Sequence, residues 1–337
     1  MYSLIEMLRY MRPEASQAQK EFCLRFLEPT FGLPDIHGNY VHIIGDKPRL
    51  CFASHHDTVH KQSGYQKLVV MNDVVSVADS KTSNCLGADC TTGVWLMLNM
   101  IEAGIEGVYV VHAAEEIGCK GSRALVADNP PWLSHLDAVI SFDRYGDNSV
   151  ITHQMGMRTA SDEFAKSFAA ALDLPQLKAD TGGSYTDSNE YSGVVSECTN
   201  ISVGYYGQHG VNETQDLDFA ELLSIALVSA DWSKLVFARD PAVIEDDYGL
   251  YPYGSNRTSI DQENVSDLTT LVRDYPSAVA ELLDAYGFTP YSLMEECQIE
   301  DNSQYYTYLD NYAARRYVWH VVTVAWQSKI NVYFKYT

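Results

Sequence analysis

Ala53-Ser54-His55-His56-Asp57-Thr58-Val59, Leu86-Gly87-Ala88-Asp89-Cys90-Thr91-Thr92-Gly93 and Val110-Val111-His112-Ala113-Ala114-Glu115-Glu116-Ile117-Gly118 make up the stretch whose reading decides the fold. Each piece sets a histidine or a carboxylate where an apolar, strand-like run gives way to a turn. In an open α/β sheet that rim is where ligands bind.

Outward from this stretch, strands and helices alternate. Residues 40–45 and 49–53 read as strands flanking a turn at Asp46-Lys47-Pro48, and the second runs straight into His55. Residues 68–72 and 108–112 read as further strands. Residues 91–105 carry Val94, Trp95, Leu96, Leu98 and Ile101 in helical pattern, with Gly104 as C-cap. A short helix is expected over 121–128 and a strand over 138–142 that ends at Asp143. Within 155–174 lies an amphipathic helix, followed by a strand over 200–205 and a long closing helix over 219–236. The N-terminal segment 3–27 reads as two amphipathic helices, or one interrupted near Pro13. Asp35-Ile36-His37-Gly38-Asn39 is turn chemistry. This alternation predicts a three-layer α/β/α fold with a mixed, mainly parallel central sheet.

Composition narrows the partners. The 337 residues hold 45 Asp+Glu against 23 Lys+Arg, a net charge of −22. Coulomb repulsion disfavours nucleic acid and anionic membrane as partners. Seven cysteines lack the paired spacings of a disulfide framework or a CxxC zinc motif, and Cys23, Cys51 and Cys198 sit among apolar neighbours. They read as buried free thiols of a reducing compartment. Arg9, Arg12, Glu14 and Lys20 interrupt the N-terminal apolar pattern, so it reads neither as a signal peptide nor as a membrane span. The expectation is a soluble, cytoplasmic protein.

Composition shifts after Phe237. Residues 240–264 are rich in Asp, Gly, Pro, Asn and Tyr without periodicity and read as a linker or surface loop. Beyond it, 265–286 and 291–297 look helical, and 317–326 with 330–336 could form a terminal hairpin. The expected division is a catalytic-type domain over 1–239, the linker, and a C-terminal extension over 265–337 of unassigned role.

His55-x-Asp57-Thr58-Val59, Gly87-Ala88-Asp89, Glu115-Glu116-x-Gly118, Asp143 and His209-x3-Glu213 fall in the order, and close to the spacing, of the co-catalytic two-zinc exopeptidases. The chain resembles that group, which holds zinc aminopeptidases, carboxypeptidases of the glutamate-carboxypeptidase type and aminoacylases. The resemblance covers roughly residues 3–236. Imidazole and carboxylate donors suit zinc, with cobalt or manganese as competitors, and a carboxylate can bridge two cations. The resemblance implies two divalent ions, with Asp89 bridging, His55 and Asp143 completing one site, and Glu116 and His209 the other. It implies Asp57 as the residue that accepts a hydrogen bond from the His55 ring. Adjacent residues of an extended segment point to opposite sides, so Glu115 and Glu116 divide their tasks. By resemblance, Glu116 binds metal and Glu115 is the general base.

Other residues keep two readings. Cys85, Cys90 and Cys119 lie close enough in sequence to compete as thiolate ligands, though the His and carboxylate set is complete without them. His112 reads as core-lining and His60 as cleft rim. Asp187, in Tyr185-Thr186-Asp187-Ser188, resembles a segment beside the substrate cleft of the same families, but its Gly182-Gly183 lead-in equally fits a flexible turn. Tyr205 or Tyr206 could donate to an oxyanion, or simply pack.

Departures from the family shape the functional expectation. The interval from Asp57 to Asp89 is 32 residues and that from Asp143 to His209 is 66, too short for the inserted lid that the resemblance implies in carboxypeptidase-type members. The lidless, aminopeptidase-like plan is favoured: a two-metal exopeptidase acting on peptides or small amino-acid conjugates. The alternatives are a carboxypeptidase or N-acyl amino acid deacylase of the same chemistry, and a non-catalytic binding or assembly protein retaining the fold. Oligomeric state is not legible in the sequence.

Overall fold

Seven apolar or half-apolar runs pair into one sheet in the computed structural model, which describes residues 2–243. They are β1 (Tyr40–Ile44), β2 (Leu50–His55), β3 (Gly107–His112), β4 (Ala138–Arg144), β5 (Ser149–Ile151), β6 (Lys178–Asp180) and β7 (Glu197–Ser202), in the order β6-β5-β7-β4-β2-β3-β1. Strands β7, β4, β2 and β3 run parallel, β1 is antiparallel to β3, and β5 meets β7 through a single antiparallel pair, Val150 with Ile201. The sheet is mixed and mainly parallel, as expected.

Both faces of the sheet are covered, which is why β2 and β3 are buried along their whole length rather than in alternation. Phe52, Tyr109 and Phe142 point into one core with Val94 and Met97 of α1 (Ala88–Glu102), Phe164 and Phe168 of α3 (Asp162–Leu172), and Leu223 and Leu227 of α4 (Leu217–Ser229). Cys51, Ala53, Val108, Val110, Val139 and Cys198 point the other way, against Leu125 of α2 (Lys120–Asp128), Leu133 and Tyr191. Strand period 2 thus feeds two cores, and the result is three layers.

Helix α1 lies unusually close to the sheet. A Cβ at Gly93 would stand 2.2 Å from the carbonyl oxygen of Phe142 and 2.6 Å from Ser54 Oγ, so only glycine permits the approach. The N-terminal segment breaks at Pro13, as the sequence implies, into Leu4–Met7 and a helix starting at Gln17 whose cap, Ser16, accepts from the Gln19 N–H.

Some elements differ from expectation. The closing helix stops at Ser229 because Ala230 turns extended, and only a short 3-10 turn, Trp232–Lys234, follows. Val74–Val77, β5 and β6 are strands where none was expected. Val74–Val77 belongs to a second sheet in the order Tyr205–Tyr206, Thr214–Asp216, Val74–Val77, Leu68–Met71. It brings the chain leading to Asp89 beside the loop that carries His209. The interval between Asp143 and His209 is occupied by β5, α3, β6 and β7 of the same layered fold. Most of the expected linker, and the extension with its helices and hairpin, lie outside the described residues. Among the described residues, six cysteines, including Cys23, Cys51 and Cys198, are buried free thiols. No helix among the described residues is long and apolar enough to cross a membrane.

Candidate metal centre

Because β2, β3, β4 and β7 run parallel, their carboxyl ends deliver side chains to one rim. His55 closes β2, Glu115 and Glu116 follow β3, Asp143 lies near the end of β4, and the chain after β7 leads to His209. Asp89 enters from the first turn of α1, where Gly87 takes a left-handed conformation (φ 71°) to start the helix.

The donors converge. His55 Nε2 lies 3.6 Å from Asp143 Oδ1 and 3.8 Å from Glu115 Oε2. His209 Nε2 lies 3.2 Å from Asp89 Oδ2 and 3.5 Å from Glu116 Oε2. Three sets of donor atoms each lie within 4.8 Å of one another: His55, Asp89 and Cys90; His55, Glu115 and Glu116; Asp89, Glu116 and His209. Two ligands held about 2.1 Å from a tetrahedral zinc stand roughly 3.4 Å apart, so the separations suit a shared cation.

Electrostatics point the same way. Asp57, Asp89, Glu115, Glu116, Asp143, Asp187 and Glu213 surround two imidazoles, and Glu116 Oε1 and Asp187 Oδ2 are buried without a partner. Burial, with Asp143, Asp187 and Asp57 outweighing His55, pushes the Glu115 carboxyl well above the usual range. Burial, Asp89 and Glu115 do the same to Glu116. Burial opposes the charged His55 ring, yet Cys90, Glu115, Asp143 and Asp57 raise its pKa well above the usual value. Burial also works against ionised Asp89, but the bond from His209, the field of His55 and the Cys90 N–H pull its pKa down. A crowd of buried carboxylates is costly unless cations compensate it, and the donor set fits divalent metal.

The sequence-predicted residues fall as follows. His55, Asp89, Glu115, Glu116 and His209 share the groupings above, and Asp143 joins through His55. Asp57 is fully buried, but its carboxylate chiefly accepts the N–H groups of Glu115 (3.1 Å) and Glu116 (3.0 Å). The His55 Nδ1 lies 3.1 Å from the Asp57 main-chain oxygen and 3.4 Å from its carboxylate, so Asp57 orients the ring through its carbonyl and fixes the Glu pair with its side chain. Asp187 is buried beside this cluster and accepts from Ser122 Oγ at 2.6 Å.

Tyr205 is buried. Its hydroxyl donates to the Asp143 carbonyl at 3.0 Å, so that proton is committed away from a substrate oxyanion. Tyr206 is 41% exposed and bonds toward Asp147. His60 is also not a rim residue: it is buried, its ring within 2.7 Å of Thr58 Oγ1 and 3.0 Å of the Cys85 carbonyl. His112 lies in the core as expected, between Asn39 and Tyr191.

Positioning contacts that the sequence did not reveal include Glu213, fully buried, which accepts the N–H groups of Leu86 (3.0 Å) and Ala88 (2.7 Å) and so holds the turn before Asp89. Thr186 Oγ1 donates to Asp143 Oδ2 at 2.8 Å. The His-x3-Glu spacing was the visible trace of Glu213. Backbone strain gathers here as well: Ala114, Cys119 and His209 all have positive φ. His209 is half exposed, which marks the open side of the centre.

An imidazole and carboxylate cluster thus sits on the carboxyl rim of a mainly parallel sheet, a donor set that suits divalent metal. Residues 39–193 match the model of peptidase family M28. The match contains His55, Asp57, Asp89, Glu115, Glu116 and Asp143; His209 joins them by geometry. No curated protein matches the chain by sequence. Among solved structures, the fold is similar to a tripeptidase from Staphylococcus aureus (13% identity, TM-score 0.53, 67% of this chain and 95% of that one). It is also similar to the aminopeptidase PepT from Bacillus cereus (14%, 0.52, 67% and 96%). A third is the TET1 peptidase of Pyrococcus horikoshii (16%, 0.50, 68% and 100%), which can assemble into a tetrahedron or a large octahedral shell.

Proposed function

We propose that this chain is an aminopeptidase-like exopeptidase working with two divalent metal ions, zinc by donor preference, and taking peptides or small amino-acid conjugates. The observation that carries the reading is the Asp89 carboxylate, grouped with His55 on one side and with Glu116 and His209 on the other. In this reading His55 and Asp143 would hold one ion and Glu116 and His209 the other, with Asp89 available to both. Residues 1–239 act as a catalytic domain without a lid.

Bound there, the cations would supply Lewis acidity, easing deprotonation of water and offsetting negative charge on the attacked carbonyl oxygen. The protein's own groups do the rest. Glu115 takes the proton of the attacking water at a carboxylate oxygen and returns it to the departing nitrogen. The Cys119 thiol, 3.6 Å from Glu115 Oε1, and the Asp57 grip on the Glu115 N–H hold that carboxylate in place. Thr186 and Tyr205 fix Asp143 from side chain and main chain. The aminopeptidase names of similar folds support this choice of exopeptidase, as do the short intervals between motifs.

A panel of aminoacyl, peptidyl and N-acyl substrates tests it. Release of free N-terminal residues, abolished by chelator, is expected. Release of C-terminal residues alone, or turnover that survives metal removal, would contradict it.

A further inference from the structure

Arg12 is a fully buried cation outside the catalytic set. Its main chain makes a two-way pairing with Thr58: the Arg12 N–H reaches Thr58 Oγ1 at 3.3 Å, and the Thr58 N–H reaches the Arg12 carbonyl at 3.1 Å. From the guanidinium, Nη1 donates to the His56 carbonyl at 2.8 Å, while Nη2 donates to Thr91 Oγ1 and to Cys90 Sγ, the latter at 3.3 Å. The Phe22 ring stacks 3.9 Å from its centre. Cys90 Sγ in turn lies 3.1 Å from the Asp57 carbonyl, the same oxygen that receives His55 Nδ1.

These contacts fall on two elements. His56 and Thr58 flank Asp57, directly after His55; Cys90 and Thr91 directly follow Asp89. We infer that Arg12 is a positioning residue for the metal centre, a buried clamp that sets the strand end carrying His55 against the helix turn carrying Asp89. The inference rests on the reading of those two residues as metal ligands.

The choice of arginine follows from its shape. The bonded groups named here are neutral, so with the Phe22 ring they offset only part of the cost of burying the charge, and an apolar side chain could fill the space more cheaply. What an apolar chain or a lysine lacks is a planar fork that addresses several acceptors at fixed angles. The N-terminal segment thereby becomes part of the site's support, although no ligand comes from it.

The test is a cobalt(II) titration followed by visible absorption, on wild type, Arg12→Lys and Arg12→Gly, with circular dichroism on each. Both variants are expected to fold and to bind cobalt roughly 10-fold or more weakly, as loss of an outer support costs. Guanidinium ion at sub-denaturing concentration should restore Arg12→Gly and leave Arg12→Lys unchanged. Wild-type affinity in both variants overturns the inference, as does a loss that guanidinium does not repair. Failure of both variants to fold also overturns it, by making Arg12 a core residue. A wild-type protein that binds no cobalt sinks the metal-site reading itself, which separates the two failures.

Discussion

The Nε2 of His209 lies 3.2 Å from Oδ2 of Asp89, although 120 residues separate them in the chain. The contact closes the centre, because Asp89 also groups with His55 on the opposite side. Asp89→Ala therefore removes the donor that the His55 group shares with the His209 group, and metal content should fall from about two equivalents per chain toward none, as a shared bridge requires. Elemental analysis after dialysis reads this directly. Unchanged content would mean that Asp89 does not bridge.

Glu213 makes a second, indirect claim on Asp89. Glu213→Ala would orphan the buried N–H groups of Leu86 and Ala88, at a cost on the order of 1–3 kcal/mol each. It should also weaken metal binding by roughly 10-fold. Urea denaturation and chelator competition measure the two effects; metal affinity equal to wild type would show that the turn holds itself.

At Gly93 the prediction concerns the fold alone. Gly93→Ala forces a methyl against the Phe142 carbonyl, and overpacking of this sort costs typically about 1–3 kcal/mol. A lowered melting temperature is expected, and an unchanged one would contradict the close approach of α1 to the sheet.

How much of this was visible beforehand depends on where the determining contacts lie. The rim residues were legible because parallel strands bury both faces: β2 and β3 read as apolar runs, and polar residues at their ends stand out. The three residues each of β5 and β6 offer no periodicity to detect. Arg12 shows in the sequence only as a break in an apolar pattern, whereas its contacts are with Thr58, His56 and α1, all distant in sequence. His60 was misread, and the two readings of Tyr205 stayed open, for the same reason: their hydrogen-bond partners are set by tertiary structure. Asp57 was expected to accept from the His55 ring, but sequence spacing carries no information about which of its oxygens lies nearer that ring.

A pH dependence follows from His112. Burial, with the nearby His55 and His56 rings, lowers its pKa to about 3, and its nitrogens face Asn39 Oδ1 and the Tyr191 hydroxyl. The unfolded ring takes its proton near the ordinary value of about 6.5. The folded state holds it neutral, so the unfolded state binds more protons between the two values. Stability from this group is complete above about pH 6.5 and falls progressively toward about pH 3. Urea midpoints of metal-free protein should drop across that window, and His112→Gln should flatten the drop. A wild-type midpoint independent of pH there would contradict the assignment.

The central claim is that Glu115 moves the proton while its neighbours hold the metal. Metal content and turnover of Glu115→Gln, measured side by side with wild type, test it most directly. The account predicts about two equivalents of divalent metal in both proteins and a turnover lower by roughly 100-fold or more in the variant, as expected when a general base is lost. Turnover at the wild-type level with metal retained would contradict it.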